Sequence, residues 1–301
     1  MHVFVTGASG WIGSHTVDEL LAAGHDVTGL ARSDASAAAL EAKGVTVLRG
    51  DLDDLDALRR GADGSDGVLH LANKHDWSDQ AATNAAERAA VETLGTALAG
   101  TDRPLVVASG IAALAPDRPA DEGDASPFTG VDSPRGGSEN RAFDFVDQGV
   151  RSIAARFSPT THGVRDHGFI AYLAGVALDR GVSGYVGEGT NHWAAVHVTD
   201  AARLVRLGLE QAPAGTRLHA VAEQGIATRD IAAAIGEAFG VPVASIDPAD
   251  AAEHFGFIGG FFAMEMAGTS GATRELLGWE PTGPTLLEDI AAGAYAHVAR
   301  R

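Results

Sequence analysis

Three glycines near the start of the chain carry the clearest chemical signal. They sit in Thr6-Gly7-Ala8-Ser9-Gly10-Trp11-Ile12-Gly13, directly after a short apolar run and directly before a helical pattern. In such a turn Gly7 permits the sharp change of direction, Gly10 lets a pyrophosphate approach the backbone, and Gly13 lets helix and strand pack closely. Ser9, Trp11 and Ile12 complete the turn, and the helix start offers free N–H groups and a positive dipole end to phosphate. The expected ligand is a dinucleotide. Its type is set at the end of the second strand, where an acid about 20 residues on would hold the ribose 2′-hydroxyl of NAD. Here the run is Leu30-Ala31-Arg32-Ser33, so no acid stands there, and Arg32 with Ser33 could grip a 2′-phosphate. NADP(H) is the expected cofactor; otherwise Arg32 is a solvated turn residue.

Other reactive side chains are sparse. The chain has no cysteine, which removes disulfides, thiolate catalysis and cysteine metal sites. No His-Glu-x-x-His helix occurs, and His192 and His197 have no carboxylate cluster at ligand spacing, so no metal is expected. No Gly-x-Ser-x-Gly elbow follows a strand, which disfavours a serine hydrolase. Lys74 and His75 lie just past the fourth strand, at the sheet edge where ligands bind in such folds, although solvation explains a lysine there equally well. Tyr185 is a further candidate proton donor. The stretch His254–Phe262 is the most aromatic of the chain, with Met264 and Met266 close behind. It would wall an apolar substrate pocket, form a dimer contact, or pack as ordinary core.

The elements that must hold these residues alternate. Apolar runs at His2–Thr6, Asp26–Ala31, Val45–Leu48, Val68–Ala72, Leu105–Ser109 and Ile153–Phe157 read as buried parallel strands. Helical patterns near 14–23, 35–43, 54–61 and 79–99 separate the first five. Alternation of this kind implies an α/β fold, a Rossmann-type doubly wound parallel sheet with helices on both faces. Residues 115–140 break the rhythm with a Gly/Ser/Pro-rich loop, and loops of that length are usually lids or mobile segments. Helical patterns then dominate, near 140–149, 166–180, 199–211, 228–239, 270–277 and 285–299, with short strands near 183–187, 194–197 and 216–221. The expected division is a dinucleotide-binding domain over 1–163 and a smaller C-terminal, mainly substrate-binding lobe over 164–301, some of whose segments return to the first domain.

Taken together, these motifs resemble the short-chain dehydrogenase/reductase superfamily, in its extended, epimerase/dehydratase-like branch. Asp51-Leu52 looks like that family's adenine-contacting pair, and His70-Leu71-Ala72-Asn73 resembles the strand-four motif that lines the cofactor. Arg156-Phe157-Ser158-Pro159-Thr160-Thr161-His162-Gly163, Val196–Ala202 and Leu277-Gly278-Trp279-Glu280-Pro281 resemble its later segments, so the resemblance spans nearly the whole chain. It implies Gly7, Ser9, Gly10, Trp11, Ile12, Gly13, Asp51, Leu52, Leu71, Ala72 and Asn73 as cofactor contacts. Members are often dimers, so a homodimer is possible.

The catalytic signature departs from the family. Tyr172, Tyr185 and Tyr295 are followed four residues on by Val176, Gly189 and Ala299, and the only lysines are Lys43 and Lys74. Tyr-x-x-x-Lys is absent. By chain position Arg135 takes the tyrosine place, Glu139 the lysine place, and Ser109 or Gly110 the catalytic serine place. Arginine donates no proton at neutral pH. A positioned acid contributes about a hundred- to ten-thousand-fold, and its loss matters least when the acceptor is already cationic, as in an iminium. Glu139 would then stabilise the cation, unless it is merely a partner of Arg135 or a first-turn helix residue. His162, after the sixth strand where the family's substrate pocket begins, and His167 are further candidates.

A net charge of −18 would repel a phosphate backbone or an anionic membrane surface, so neither nucleic acid nor membrane is an expected partner. No signal-like or membrane-length apolar stretch is present, which makes a cytoplasmic protein the expectation. The preferred functional reading is an NADP(H)-dependent reductase of an apolar, aromatic-type imine or carbonyl. A non-catalytic NADP(H) sensor and, further off, a sugar epimerase or dehydratase are the alternatives.

Overall fold

The computed structural model describes residues 1–74 and 79–300, with backbone alone at residue 300. The first half runs β1 (His2–Thr6), α1 (Trp11–Ala22), β2 (Asp26–Ala31), α2 (Asp34–Glu41), β3 (Thr46–Arg49), α3 (Leu55–Asp63), β4 (Gly67–His70), α4 (Gln80–Leu98) and β5 (Pro104–Gly110). The second runs α5 (Ser138–Phe143), β6 (Arg151–Phe157), β7 (Thr160–His162), α6 (Phe169–Arg180), β8 (Ser183–Val186), β9 (His192–His197), α7 (Val198–Gln211) and β10 (Thr216–Ala220). It ends with β11 (Glu223–Ala227), α8 (Thr228–Phe239), β12 (Val243–Ile246), α9 (Ala251–Phe255), α10 (Gly259–Phe262), α11 (Gly271–Leu277) and α12 (Leu286–Ala291).

Seven strands form one parallel sheet in the order β10-β6-β5-β4-β1-β2-β3. Its central strands are covered on both faces, which is why they read as continuous apolar runs and not as alternation. One face packs Val17, Leu20, Leu40, Leu204, Leu209 and Trp279 from the helical side, and the other packs Leu58, Leu94 and Ala142. The strand order reverses between β1 and β4, the crevice where ligands bind in open parallel sheets. A separate core around Trp193, Phe255, Phe262, Ile231 and Ile290 joins α6, α8, α9, α10 and α12 to β9, beside a three-stranded sheet (β11-β9-β7) and the pair β12-β8. The chain re-enters the large sheet through β10, from residue 216.

The structure departs from the expectations in several places. Strands β7, β11 and β12 were not anticipated, being three to five residues long and stabilised by distant partners. The fourth strand stops at His70, so Leu71, Ala72 and Asn73 lie beyond it. The helical pattern at 285–299 is helix only to Ala291. The loop after β5 is pinned, not free: Ala120 bridges Gly268 through Ala120 N–H to Ala267 O (2.9 Å) and Thr269 N–H to Ala120 O (2.8 Å), and Asn140 donates to the carbonyls of Ser126 and Phe128 at 3.0 and 2.7 Å. No helix among the described residues is long and apolar enough to cross a membrane.

Candidate active site

The glycine turn has the shape its spacing predicts. Gly7 adopts φ +70°, and a Cβ there would lie 2.7 Å from the Ala72 nitrogen, so the turn presses against the chain leaving β4. A Cβ on Gly13 would fall 2.0 Å from the Gly7 carbonyl oxygen, so α1 sits against that turn with no room for a side chain. A Cβ on Gly10 would meet only the Gly7 oxygen, at 3.2 Å, a little tighter than ordinary contact. Helix α1 begins with no side-chain cap and no acid in its first turn, unlike α2, α3 and α4, which Ser33, Asp54 and Asp79 cap. Its N–H groups therefore stand available to an anion. The residues fit a dinucleotide pyrophosphate.

Around this turn the remaining cofactor candidates separate. Ser9 is exposed, Trp11 is half-buried with Nε1 donating to the Thr161 carbonyl (2.7 Å), and Ile12 packs on the main core. Arg32 is exposed and has no hydrogen bond or ion pair among the described residues, whereas Ser33 caps α2. Arg49, at the end of β3 and in register with Ala31, donates to the Ser33 carbonyl at 2.8 Å and to Asp34 at 2.7 Å. The sequence reading missed this second guanidinium, since only strand register brings it beside Arg32's neighbours. Asp51 accepts from the Asp53 and Asp54 amides at 2.9 and 3.2 Å, Leu52 is buried, and Lys74 is held by both Asp53 oxygens at 2.7 Å. Leu71 and Ala72 are half-buried and hang on Thr6 through its carbonyl and hydroxyl oxygens. Asn73 donates to Glu87 at 3.2 Å. His75 lies outside the described residues.

Three of the four proposed catalytic positions meet. Ser109, Gly110, Arg135 and Glu139 line one cavity of about 160 Å³ with Ala112, Ser126, Phe128, Pro134, Gly137 and Ser138. The pinned loop after β5 supplies one wall and the start of α5 another. Arg135, Gly136 and Gly137 take φ of 55°, 60° and 65° in succession, a left-handed run that a non-glycine residue enters at a cost of order 1–3 kcal/mol. A Cβ on Gly136 would sit 2.3 Å from the Asn84 carbonyl oxygen, so the turn can only lie this close to α4 as glycine.

Glu139 is not the free carboxylate that stabilisation of an iminium needs, which corrects that expectation. Fully buried Arg156 meets both of its oxygens, Nε to Oε2 at 3.1 Å and Nη2 to Oε1 at 2.5 Å, and Arg217 Nε stands 3.6 Å from Oε1. Nor is it the partner of Arg135. Arg135 Nη2 donates to Glu87 Oε1 at 2.6 Å. Burial alone would raise the Glu87 carboxyl, but Arg135 and then His70 outweigh it and bring it down to about 2. His219 Nδ1–H donates to the Thr269 carbonyl at 2.9 Å and leaves Nε2 to accept from Arg156 at 3.2 Å. Burial, with Arg156 beside it, holds that imidazole below its ordinary pKa, so it is neutral.

His162 does not join this group. It sits on β7 with Nδ1 hydrogen-bonded to Asp289 at 2.7 Å, its ring edge-on to His197 at 5.5 Å, and no solvent exposure. Burial lowers its pKa against the pull of Asp289. His167 packs edge-on against Trp11, and Tyr185 lies in β8 at the margin of the second core. The aromatic stretch is partly core: Phe255, Ile258 and Phe262 are buried while Phe257 is 49% exposed, and none of its residues lines the cavity. Among the described residues no His/Asp/Glu group is arranged to hold a metal ion.

A family model described as the NAD dependent epimerase/dehydratase family matches residues 3–129. An uncharacterized protein of Schizosaccharomyces pombe is 43% identical over 295 residues, covering 98% of this chain and 100% of its own. A 4-hydroxy-2-methyl-3-oxo-4-farnesyl-3,4-dihydroquinoline-1-oxide ketoreductase of Stigmatella aurantiaca is 27% identical over 226 residues, 71% of this chain and 66% of that one. Among solved structures, a dTDP-glucose 4,6-dehydratase of Streptomyces venezuelae with NAD bound aligns with a TM-score of 0.77 at 21% identity, over 100% of this chain and 97% of that one. At that identity the likeness speaks to the fold alone.

Proposed function

The chain belongs to the NAD-dependent epimerase/dehydratase family, the extended branch of the short-chain dehydrogenases/reductases, and we propose that it is an NADP(H)-dependent reductase whose substrate is a carbonyl compound. The observation that carries this reading is the donor-rich cavity where Ser109 and Arg135 converge while Glu139 is neutralised by Arg156. When bound, the nicotinamide supplies a hydride to the carbonyl carbon, leaving an oxygen that must take one proton. The Ser109 hydroxyl is the group that holds that oxygen, with Arg135 beside it in the same cavity. Stabilising developing negative charge needs donors, not a carboxylate, and removing one such donor typically lowers turnover by about a hundred- to a thousandfold. Ser109, at the open end of β5, passes a proton from solvent, since arginine keeps its own. An imine is the less favoured acceptor because, among the described residues, no free carboxylate faces the cavity to match its positive charge.

Arg32 and Arg49, flanking the N-terminus of α2, support the 2′-phosphate and so NADP(H) over NAD(H). Adventitious loss of chemistry is the competing reading, an NADP(H)-binding sensor, and the buried Glu139–Arg156 pair is what favours it: it occupies in a purely structural way a position where the family holds its catalytic lysine. NADPH consumption by the wild-type protein against a panel of aromatic ketones and cyclic imines decides. Turnover of ketones, lowered at least a hundredfold by Ser109→Ala, is the expected result. NADPH binding with no turnover on either panel would sink the reductase reading.

A further inference from the structure

Arg135 has more donor capacity than its partners use. Its Nη2 is satisfied by Glu87, yet Nε is shut from solvent and has no acceptor. A buried, unpaired N–H on a charged group is costly, on the order of 1–3 kcal/mol or more. The backbone that delivers it is also strained, with Arg135 at φ 55° between Pro134 and two left-handed glycines. Nε is shut away, but the Arg135 side chain is 31% exposed, its Nη1 has no hydrogen bond among the described residues, and Arg135 lines a cavity with Ser109, Ser126 and Ser138 whose single carboxylate among the described residues, Glu139, is bidentate to Arg156. Among the described residues, such a site offers donors to oxygen lone pairs and negative charge and no free carboxylate to a cation.

Its size limits what enters. About 160 Å³ is close to the volume that holds a benzene ring. A reacting carbonyl with one further acidic group fits within it, with Ala112, Phe128 and Pro134 against the adjoining carbon atoms and a larger substituent at its open side. We propose that Arg135 is a specificity-determining residue that binds a substrate carboxylate, so that the preferred substrates are oxo acids in which the carboxylate lies within one or two carbons of the carbonyl. This rests on the reductase reading for the reaction but not for the binding. An arginine matches a carboxylate with two parallel N–H donors, which lysine cannot reproduce.

Two measurements test it, the second independently of the reaction. The first is NADPH turnover of benzoylformate and benzoylacetate against their methyl esters. The acids are expected to show at least a tenfold higher kcat/KM. Arg135→Lys keeps a cation for Glu87 and should cut kcat/KM for the acids by tenfold or more, chiefly through KM, while changing that for the esters less than threefold. Equal turnover of acids and esters, or an equal loss on both, overturns the proposal. The second is calorimetric binding of benzoate to the wild-type protein and to Arg135→Lys, with thermal unfolding as the check on folding. Benzoate binding weakened tenfold by the substitution, with no turnover of any substrate, retains the anion site and rejects the reductase. Turnover of esters with benzoate binding unchanged does the reverse. Should Arg135→Lys fail to fold, Glu87→Gln, which frees the guanidinium, is expected to preserve or strengthen benzoate binding, and a loss there overturns the proposal.

Discussion

Replacing Arg32 by alanine should weaken NADPH binding while leaving NADH nearly untouched. The structure makes this substitution clean. Arg32 is exposed at the end of β2 and has no partner among the described residues, so its loss removes no internal contact. Ser33 continues to cap α2, because its hydroxyl accepts from the Ser36 amide at 3.1 Å without help from Arg32. A charge-assisted contact between arginine and phosphate contributes about 1.5–3 kcal/mol. Solvent screening at an exposed site puts the expectation at the lower end, about ten- to thirtyfold in Kd. Arg49 is the second donor. Its pair with Asp34 is open to solvent, the two side chains being 50% and 101% exposed, and exposed pairs contribute about 0–1 kcal/mol. Arg49→Ala should therefore also weaken NADPH selectively, with little change in thermal stability, and the double substitution should bring NADPH and NADH to similar affinity. Fluorescence titration of the reduced cofactors measures each Kd, and raising the salt concentration should narrow the wild-type preference. Equal losses on both cofactors, or no loss on either, would refute the assignment of the 2′-phosphate to this corner.

Breaking the Glu139–Arg156 pair from one side should be severe. Glu139→Gln leaves a fully buried guanidinium half-matched and is expected to lower unfolding free energy by about 3–5 kcal/mol, whereas Glu139→Gln combined with Arg156→Met should recover part of it, as urea unfolding would report. The Glu87 carboxyl, held at about 2 against an ordinary 4.5, contributes stability that is present above pH 4.5 and lost as pH falls toward 2, about 3 kcal/mol in all. Thermal unfolding across that window should therefore show a shallower acid limb in Glu87→Gln, and an unchanged limb would contradict the pairing. Gly13→Ala places a methyl 2.0 Å from the Gly7 oxygen, so α1 must move away from the turn; the expected result is loss of measurable NADPH binding together with a lower Tm.

Local chemistry was legible in the sequence and long-range pairing was not. The glycine turn follows from three residues within seven positions whose conformational needs are their own, and the structure shows each need met at Gly7 and Gly13. The parallel sheet followed from apolar runs that must be buried on both faces. Chain order was even enough to bring Ser109, Arg135 and Glu139 to one cavity. What it could not supply was charge pairing. Arg135 finds Glu87 from 48 positions away, and Glu139 finds Arg156 from 17 positions away on a neighbouring strand, so a carboxylate that reads as a free group becomes half of a buried ion pair. Arg49 joins the cofactor corner through the register of β2 with β3. His162, plausible by position, is turned to Asp289 from a distant helix. The aromatic stretch reads equally as pocket, dimer contact or core, and packing of Phe255 on Phe262 and of Phe262 on Trp193 makes that part of it core. A sequence states which groups a chain carries and the backbone shapes its short segments prefer. Which charges neutralise one another, and which donors are left facing a ligand, depends on distances that exist only once the sheet, the helices and the pinned loop have closed around them.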